Sequence, residues 1–451
     1  MKNSNRLLSL DILRGLDMLL LTVVGPLFWA VNKTWQMPEA VQLQFKHAWG
    51  GFTLWDIIMP LFIFACGAAV PYALSKRLDD DGWATGAFWK HVLGRFALLW
   101  FCGMLVQGHL ATLDPMKISP YNNTLQAIAA GYLITAIVML IPIRALRVIM
   151  PFILMGAYGA LLHFSGDYSK DGNLAQVIEQ KILSAVLPVG SEAFKTHGYT
   201  WFLTSLMFGT MALCGAQCAE ILRGEGPKGR KATALLFIGG ILLGAGFAFE
   251  PIMPCIKHIF TVSFTCQAMG WCVLALAVLY ILTDILAFRV GWWLVILYGQ
   301  CALTAYMATH FFKSALIACT TTVMQGFPRF IDARYLPLVA AIVTSILLTL
   351  VLVIRRRLRH TCLDADDDAD EESDAPSSPN GVAPEFKSHL MSGAIADRFK
   401  IPGVAEQVVT PKDADEPSSQ AAHVKTKLKL HASPETSTPS VRLEPVVPDA
   451  D

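Results

Sequence analysis

From residue 12 to residue 354 the chain repeats one pattern: a run of roughly 17 to 25 mostly apolar residues, then a short polar break. Ten such runs lie near residues 12–31, 53–74, 92–110, 124–142, 146–163, 200–222, 232–249, 262–283, 292–312 and 335–354. Coiled as a helix at about 1.5 Å per residue, a run of this length spans the hydrocarbon of a bilayer. In that medium every backbone polar group must be satisfied within the segment, which a helix does on its own. The fold class that follows is all-α: a polytopic integral membrane protein of about ten transmembrane helices. Composition agrees, because 54% of residues are hydrophobic and only 16% are charged, against roughly 25% in soluble domains. The net charge of +1 balances basic loops against an acidic tail. With no basic aromatic patch and no nucleic-acid motif, nucleic acid is excluded as a partner.

The charges divide the chain. They are thin before Arg355 and dense after it, so residues 1–359 form the membrane domain and residues 360–451 an acidic and polar cytoplasmic tail, opening TCLDADDDADEESDAPSSPNG. Such a composition buries too little apolar surface to offset its ordering entropy, which predicts disorder. The N-terminus starts like a signal peptide, but Arg14 and Asp17 interrupt its first half. No small-residue cleavage site follows before Lys33, so it reads as a retained first helix. Only Pro142-Ile143-Arg144 separates the fourth and fifth runs, which implies a tight helical hairpin. Lys and Arg concentrate in one set of loops, among them Lys76, Arg77, Lys90, Arg144, Arg147, Arg223, Lys228, Arg230, Lys231 and Arg355–Arg357. That bias puts both termini in the cytoplasm and His47 on the far side, the periplasm of a bacterial inner (plasma) membrane. Within the long far-side loop, residues 171–190 suit a short amphipathic helix lying on the surface. The ten cysteines show no CxxC and no metal-ligand spacing and read as packing residues, with no metal site.

Polar groups inside apolar runs are costly and therefore informative. Asp11 and Arg14 are three apart on one helical face, with Asp17 a turn and a half beyond Asp11. They suit either an ion-pair anchor at the cytoplasmic end or the binding of a charged donor, with Arg14 the best single candidate for a phosphate contact. On the far side, Lys46 and His47 precede a run whose one carboxylate, Asp56, falls in the first helical turn. A histidine near neutrality can act as general base or as an acyl-accepting nucleophile. Asp56 is near enough to hold the ring's tautomer, or it simply caps its helix. Asn122, Asn123 and Gln126 open the fourth run. Glu250, Lys257 and His258 flank the two prolines of EPIMPCIKH, where Lys257 is suited to a substrate carboxylate or a donor phosphate.

Four separated segments then share one pattern. RLLSLDILRGLDM, FKHAWGGFTLWDIIMPLFIFACGAA, NNTLQAIAAGYL and PCIKHIFTVSFTCQAMGW together resemble the transmembrane acyltransferases related to heparan-alpha-glucosaminide N-acetyltransferase. That family reads R-x-x-S-x-D-x-x-R-G, then K-H and D-x-x-x-P-x-F-x-F-x-x-G, then L-Q-x-I-A-x-x-Y, then K-x-x-W-T-x-S-F. LYGQCALTAY extends the likeness to Tyr306. The chain departs from the pattern at Phe260, where the family has Trp, and at Gly299-Gln300-Cys301, where it has G-x-N.

The resemblance implies that residues 1–359 are a transmembrane acyltransferase domain. It would move an acetyl group from cytosolic acetyl-CoA to a sugar amine or hydroxyl on the periplasmic side. His47 and Asp56 become the catalytic residues; Arg14, Asp11, Asp17, Asn122, Gln126 and Lys257 become candidates for substrate and CoA binding. No tightly bound cofactor is expected, acetyl-CoA being a co-substrate. The partners are acetyl-CoA, a sugar or glycan acceptor and the lipid bilayer, with a homodimer left open. The competing expectations are a transporter or flippase for a small solute or lipid-linked sugar, and a membrane scaffold whose acidic tail recruits partners.

Overall fold

The computed structural model describes residues 7–74, 77–78, 84–108, 110, 113–188, 190–194 and 199–373. The chain divides into a compact unit, Met1–Asp366, and a second one, Asp367–Asp451, described only to Ser373. Among the described residues the elements are helical, and the only β pairing is one bridge, Leu78 to Ala84.

The first span is α1 (Leu8–Leu19) continued through a π-helical turn (Leu20–Val24) into α2 (Gly25–Trp35). After the short α3 (Glu39–Leu43), a 3₁₀ turn at Leu54–Ile57 leads into α4 (Ile58–Leu74). Next come α5 (Gly86–Val106), α6 (Thr124–Val138), α7 (Arg144–Ser165), α8 (Leu174–Val186), α9 (Ser205–Arg223), α10 (Lys228–Phe249) and α11 (Val262–Tyr280). The described chain ends with α12 (Trp293–Gln300), α13 (Ala302–Thr309), α14 (Lys313–Val323) and α15 (Leu336–Ser373).

Seven helical stretches among the described residues are long and apolar enough to cross a membrane: Leu8–Trp35, Leu54–Leu74, Arg144–Ser165, Ser205–Arg223, Lys228–Phe249, Val262–Ile285 and Ala333–Arg359. The other three expected runs differ for physical reasons. Helix α5 is long but carries Lys90 and Arg95 in its first half, and α6 has only 15 residues. The 292–312 run is broken at Cys301, whose backbone leaves the helical region and separates α12 from α13. Helix α15 continues to Ser373, past Arg359. The expected disorder of residues 374–451 lies outside the described residues.

Burial sorts the helices into layers. The spans containing α4 and α9 are mostly buried, whereas α7, α10 and α15 bury few residues. The outer helices expose Phe152 and Ile153, Phe237 and Ile241, and Ile346 and Leu350. Apolar side chains facing outward match a lipid surround, where they cost nothing. The two central helices meet at backbone distance: a Cβ on Gly67 would lie 1.9 Å from the Ala212 carbonyl oxygen, and one on Gly215 would lie 2.1 Å from that of Phe64. Small residues allow this approach where lipid supplies no hydrophobic drive between helices.

Helix α8 forms within the segment expected to be a short amphipathic helix and is fastened to the chain before α9. The Asn173 side chain caps it, and it buries Ala175, Gln176, Glu179 and Leu183. One Glu179 oxygen accepts the backbone N–H groups of Trp201 at 2.5 Å and Phe202 at 3.3 Å. Burial pushes the Glu179 carboxyl up to about 7, while those two N–H groups pull the other way.

Candidate active site

The site begins with a helix cap. Thr53 is the extended residue that starts the helix, where the first backbone N–H groups have no partner in the preceding turn, and the chain closes this end with a capping box. One oxygen of Asp56 accepts the Thr53 N–H at 2.9 Å and the Thr53 hydroxyl at 2.8 Å. The other accepts the ring Nδ1–H of His47 at 2.7 Å. The two roles weighed for Asp56 are therefore both filled, one by each oxygen. Because Nδ1–H is given to the carboxylate, Nε2 is the imidazole nitrogen with an available lone pair.

A second loop brings in a cation. Between α10 and α11, Pro251 and Pro254 stop helical continuation, and the chain turns back on itself. Phe260 N donates to Lys257 O at 3.0 Å and Thr261 N to Ile256 O at 3.2 Å. Phe260 sits at φ +45°, which costs a non-glycine residue energy. Edge-to-face contacts with Phe208 at 4.9 Å and Phe264 at 5.1 Å hold it there. The two loops are joined by Gly51 N donating to Cys255 O at 2.8 Å. The His258 ring lies between Trp49 at 5.0 Å and Tyr199 at 4.1 Å.

As a result Lys257 Nζ lies 3.2 Å from the His47-bound oxygen of Asp56 and 3.1 Å from His47 Nδ1. Asp56 and Lys257 are buried, at 1% and 5% side-chain exposure, while His47 is 37% exposed. Burial brings Lys257 down to about 8, with Asp56 opposing the shift. His47 is held below 6.5, chiefly by burial; the Asp56 hydrogen bond opposes this and the Lys257 charge adds to it. Near neutral pH the cluster is a neutral imidazole against a carboxylate–ammonium pair. Burial, together with the Lys257 charge, drives His258 down to about 4, so it serves as a neutral ring.

Two cavities share a wall residue, and the smaller of them lies at this cluster. The smaller, about 240 Å³, is lined by His47, Lys257, Trp55, Asn122, Asn123, Tyr199, Trp201, Tyr306 and His310, with Leu21 from the π-helical turn. The larger, about 890 Å³, is lined by Arg14, Lys90, His91, Arg95 and Arg359 along with apolar residues of α4, α5, α6 and α13. No carboxylate is among the described residues lining either one. Phe62 is common to both walls. The broken helix also runs past both, with Gly299, Gln300, Ala302 and Leu303 on the large cavity and Tyr306 and His310 on the small one. The Arg95 guanidinium lies over the Tyr132 ring at 4.8 Å and donates to Cys66 Sγ at 3.6 Å.

The expected site residues separate into groups. His47, Asp56 and Lys257 come together, but Lys257 engages that pair and makes no contact with the large basic cavity. Arg14 lines the large cavity and Asn122 the small one. Gln126 lines neither: it is fully buried, accepts Asn122 N at 2.9 Å and donates to Pro120 O at 2.8 Å, so it fastens the loop before α6. Asp11 and Asp17 are buried and also line neither cavity. Among the described residues neither Asp17 oxygen has a hydrogen-bond partner.

Sequence reasoning missed Lys90, His91, Arg95, Arg359 and His310. A signal was present: Lys90, His91, Gly94, Arg95 and Leu98 recur at helical spacing and form one face of α5. A cation such as Arg95 inside an apolar run calls for a cavity or a partner.

Residues 6–112 match a family model described as a domain of unknown function, DUF5009. This is less than half of the chain. The matched segment holds Arg14, His47, Asp56, Lys90 and Arg95, and leaves Lys257 and His310 outside. No curated protein matches the chain.

Proposed function

We propose that the chain is a transmembrane acyltransferase that carries an acetyl or related acyl group from cytosolic acyl-CoA to an amine or hydroxyl, a sugar being the favoured acceptor, on the opposite face. The observation that carries this reading is the pair of cavities sharing Phe62, one lined by cations and the other by a histidine whose Nε2 is available. Four cationic side chains and no carboxylate suit the phosphates of a CoA thioester. A volume of about 890 Å³ lies within the range of nucleotide-sized sites. The positive-inside bias puts that cavity on the cytoplasmic side, which orients the acyl end of the donor toward Phe62 and His47.

The chemistry follows from the tautomer. Nε2 of neutral His47 attacks the thioester carbonyl carbon, the C–S bond breaks, and CoA leaves as a thiolate. The ring, still bearing Nδ1–H, becomes an acylimidazolium whose positive charge faces Asp56. A carboxylate so placed stabilises that charge and holds the ring's orientation. Lys257 balances Asp56 when the imidazole is neutral, so the buried carboxylate keeps a counter-charge throughout the cycle. The acceptor then attacks the acyl carbon from the far side, restoring the neutral ring.

The test uses the full chain in detergent micelles with acetyl-CoA. Wild type should exchange labelled CoA into acetyl-CoA. His47→Ala should abolish exchange and still be stabilised thermally by CoA. A wild type that neither binds CoA nor exchanges it removes the proposal and favours a transporter.

A further inference from the structure

Acyl transfer leaves one requirement unmet by the cluster. An amine or hydroxyl that attacks the acyl group must shed a proton, and His47 cannot take it, because its Nε2 bears the acyl group and its Nδ1 is already protonated. Lys257 is a protonated neighbour of Asp56. Among the described residues lining the smaller cavity there is no carboxylate. The remaining titratable groups there are Tyr199, Tyr306 and His310. The phenols are poor bases at neutral pH, and the Tyr306 hydroxyl is donated to Asn123 Oδ1 at 3.5 Å.

We infer that His310 is the general base that takes the acceptor's proton, with Nε2 as the accepting atom; the inference rests on the acyl-transfer reading above. Its ring is oriented by its own helix end. His310 Nδ1 lies 3.0 Å from the Tyr306 backbone oxygen, which can only accept, so Nδ1 carries the hydrogen. Thr309 Oγ1, 3.1 Å from the same nitrogen, gives its own hydrogen to the Ala305 and Tyr306 carbonyls at 3.0 and 3.2 Å and presents a lone pair to the ring. Nε2 is left with its lone pair. The ring plane is held by stacking on Tyr306, centroids 4.1 Å apart at 11°. The Tyr306 hydroxyl in turn ties this corner to the cap of α6.

The smaller cavity thus holds two imidazoles with the same tautomer and different tasks. In the second half-reaction the acceptor nitrogen or oxygen bonds to the acyl carbon and the C–Nε2 bond to His47 breaks, its electron pair returning to that ring. The acceptor's proton passes to His310 Nε2. The single positive charge moves from the His47 acylimidazolium to the His310 imidazolium. His310 is exposed, so the proton leaves to water on the acceptor side.

The test separates the two halves of the reaction with His310→Asn, whose amide nitrogen replaces Nδ1 as a donor to Tyr306 O while Nε2 is lost. Three rates are measured on the full chain in micelles: CoA/acetyl-CoA exchange, acetyl transfer to glucosamine, and acetyl transfer to hydroxylamine, a nucleophile largely unprotonated at neutral pH and little dependent on a base. Exchange and hydroxylamine transfer should stay within about threefold of wild type, while glucosamine transfer falls about 100-fold or more, the usual worth of a general base. Glucosamine transfer within threefold of wild type overturns the assignment and leaves the acyltransferase reading intact. Loss of exchange in step with transfer also overturns it, making His310 a structural residue. A wild type that performs neither exchange nor hydroxylamine transfer overturns both.

Discussion

The carboxylate–ammonium pair beneath His47 makes a quantitative prediction. Replacing Asp56 by Asn keeps the shape and removes the charge. An amide has one acceptor and one donor end, whereas both Asp56 oxygens face donors: Thr53 N–H and hydroxyl on one side, His47 Nδ1–H and Lys257 Nζ on the other. Whichever way the amide faces, a donor meets a donor, and Lys257 is left as a buried cation. At 3.2 Å and an effective dielectric of 20, the lost attraction is about 5 kcal/mol. Breaking a buried pair by removing one partner costs about 3–5 kcal/mol, so Asp56→Asn should destabilise the protein by about 4 kcal/mol. Lys257→Met should cost less, about 2 kcal/mol, because Asp56 keeps three other donors. The double variant should lose only about 2 kcal/mol, some 4 kcal/mol less than the sum of the two singles. Urea unfolding in detergent micelles, followed by tryptophan fluorescence, reads all four corners of the cycle. If the single losses add to within about 0.5 kcal/mol, the two charges are not coupled and the account of the cluster is wrong. CoA exchange should be lost in Asp56→Asn and should not return in the double variant, because the carboxylate that holds Nδ1–H is missing from both.

Three other expectations concern the cavities and helix α8. Neutralising Lys90 and Arg95 to Gln should weaken CoA binding about tenfold per lost phosphate contact, or about 1.4 kcal/mol, and flatten its salt dependence; calorimetric titration showing unchanged affinity would remove the donor site from this cavity. Phe62→Ala should open the partition between the cavities and raise acetyl-CoA hydrolysis relative to transfer, measured as free acetate per acetylated product; an unchanged ratio means that Phe62 seals nothing. Glu179, raised from 4.5 to about 7, binds its proton more tightly in the folded state. Its contribution to stability is therefore complete below about pH 4.5 and is lost as the pH rises through about 7. Thermal unfolding should show that decline in wild type and lack it in Glu179→Gln, which keeps an acceptor for Trp201 and Phe202; parallel curves would assign the decline to another group.

What the sequence determined by itself is the part governed by short-range rules. Length and apolarity of a run decide that it becomes a membrane helix, because backbone hydrogen bonds in lipid must close within about four residues. The Thr53–Asp56 spacing writes a capping box, and a separation of nine positions along the chain allows His47 to reach the same carboxylate. The tertiary structure alone decided which distant groups meet. Lys257 is 210 positions from His47, and its place depends on a proline-bounded turn with Phe260 at positive φ, a conformation that residue-by-residue preferences argue against. A continuous apolar run near 292–312 gives no sign that it breaks at Cys301, nor that it lines both cavities. Lys90 and Arg95 are legible as basic residues on α5. That they face a cavity rather than the solvent follows only from the helices packed around them, because a side chain's surroundings are set by the neighbours it meets.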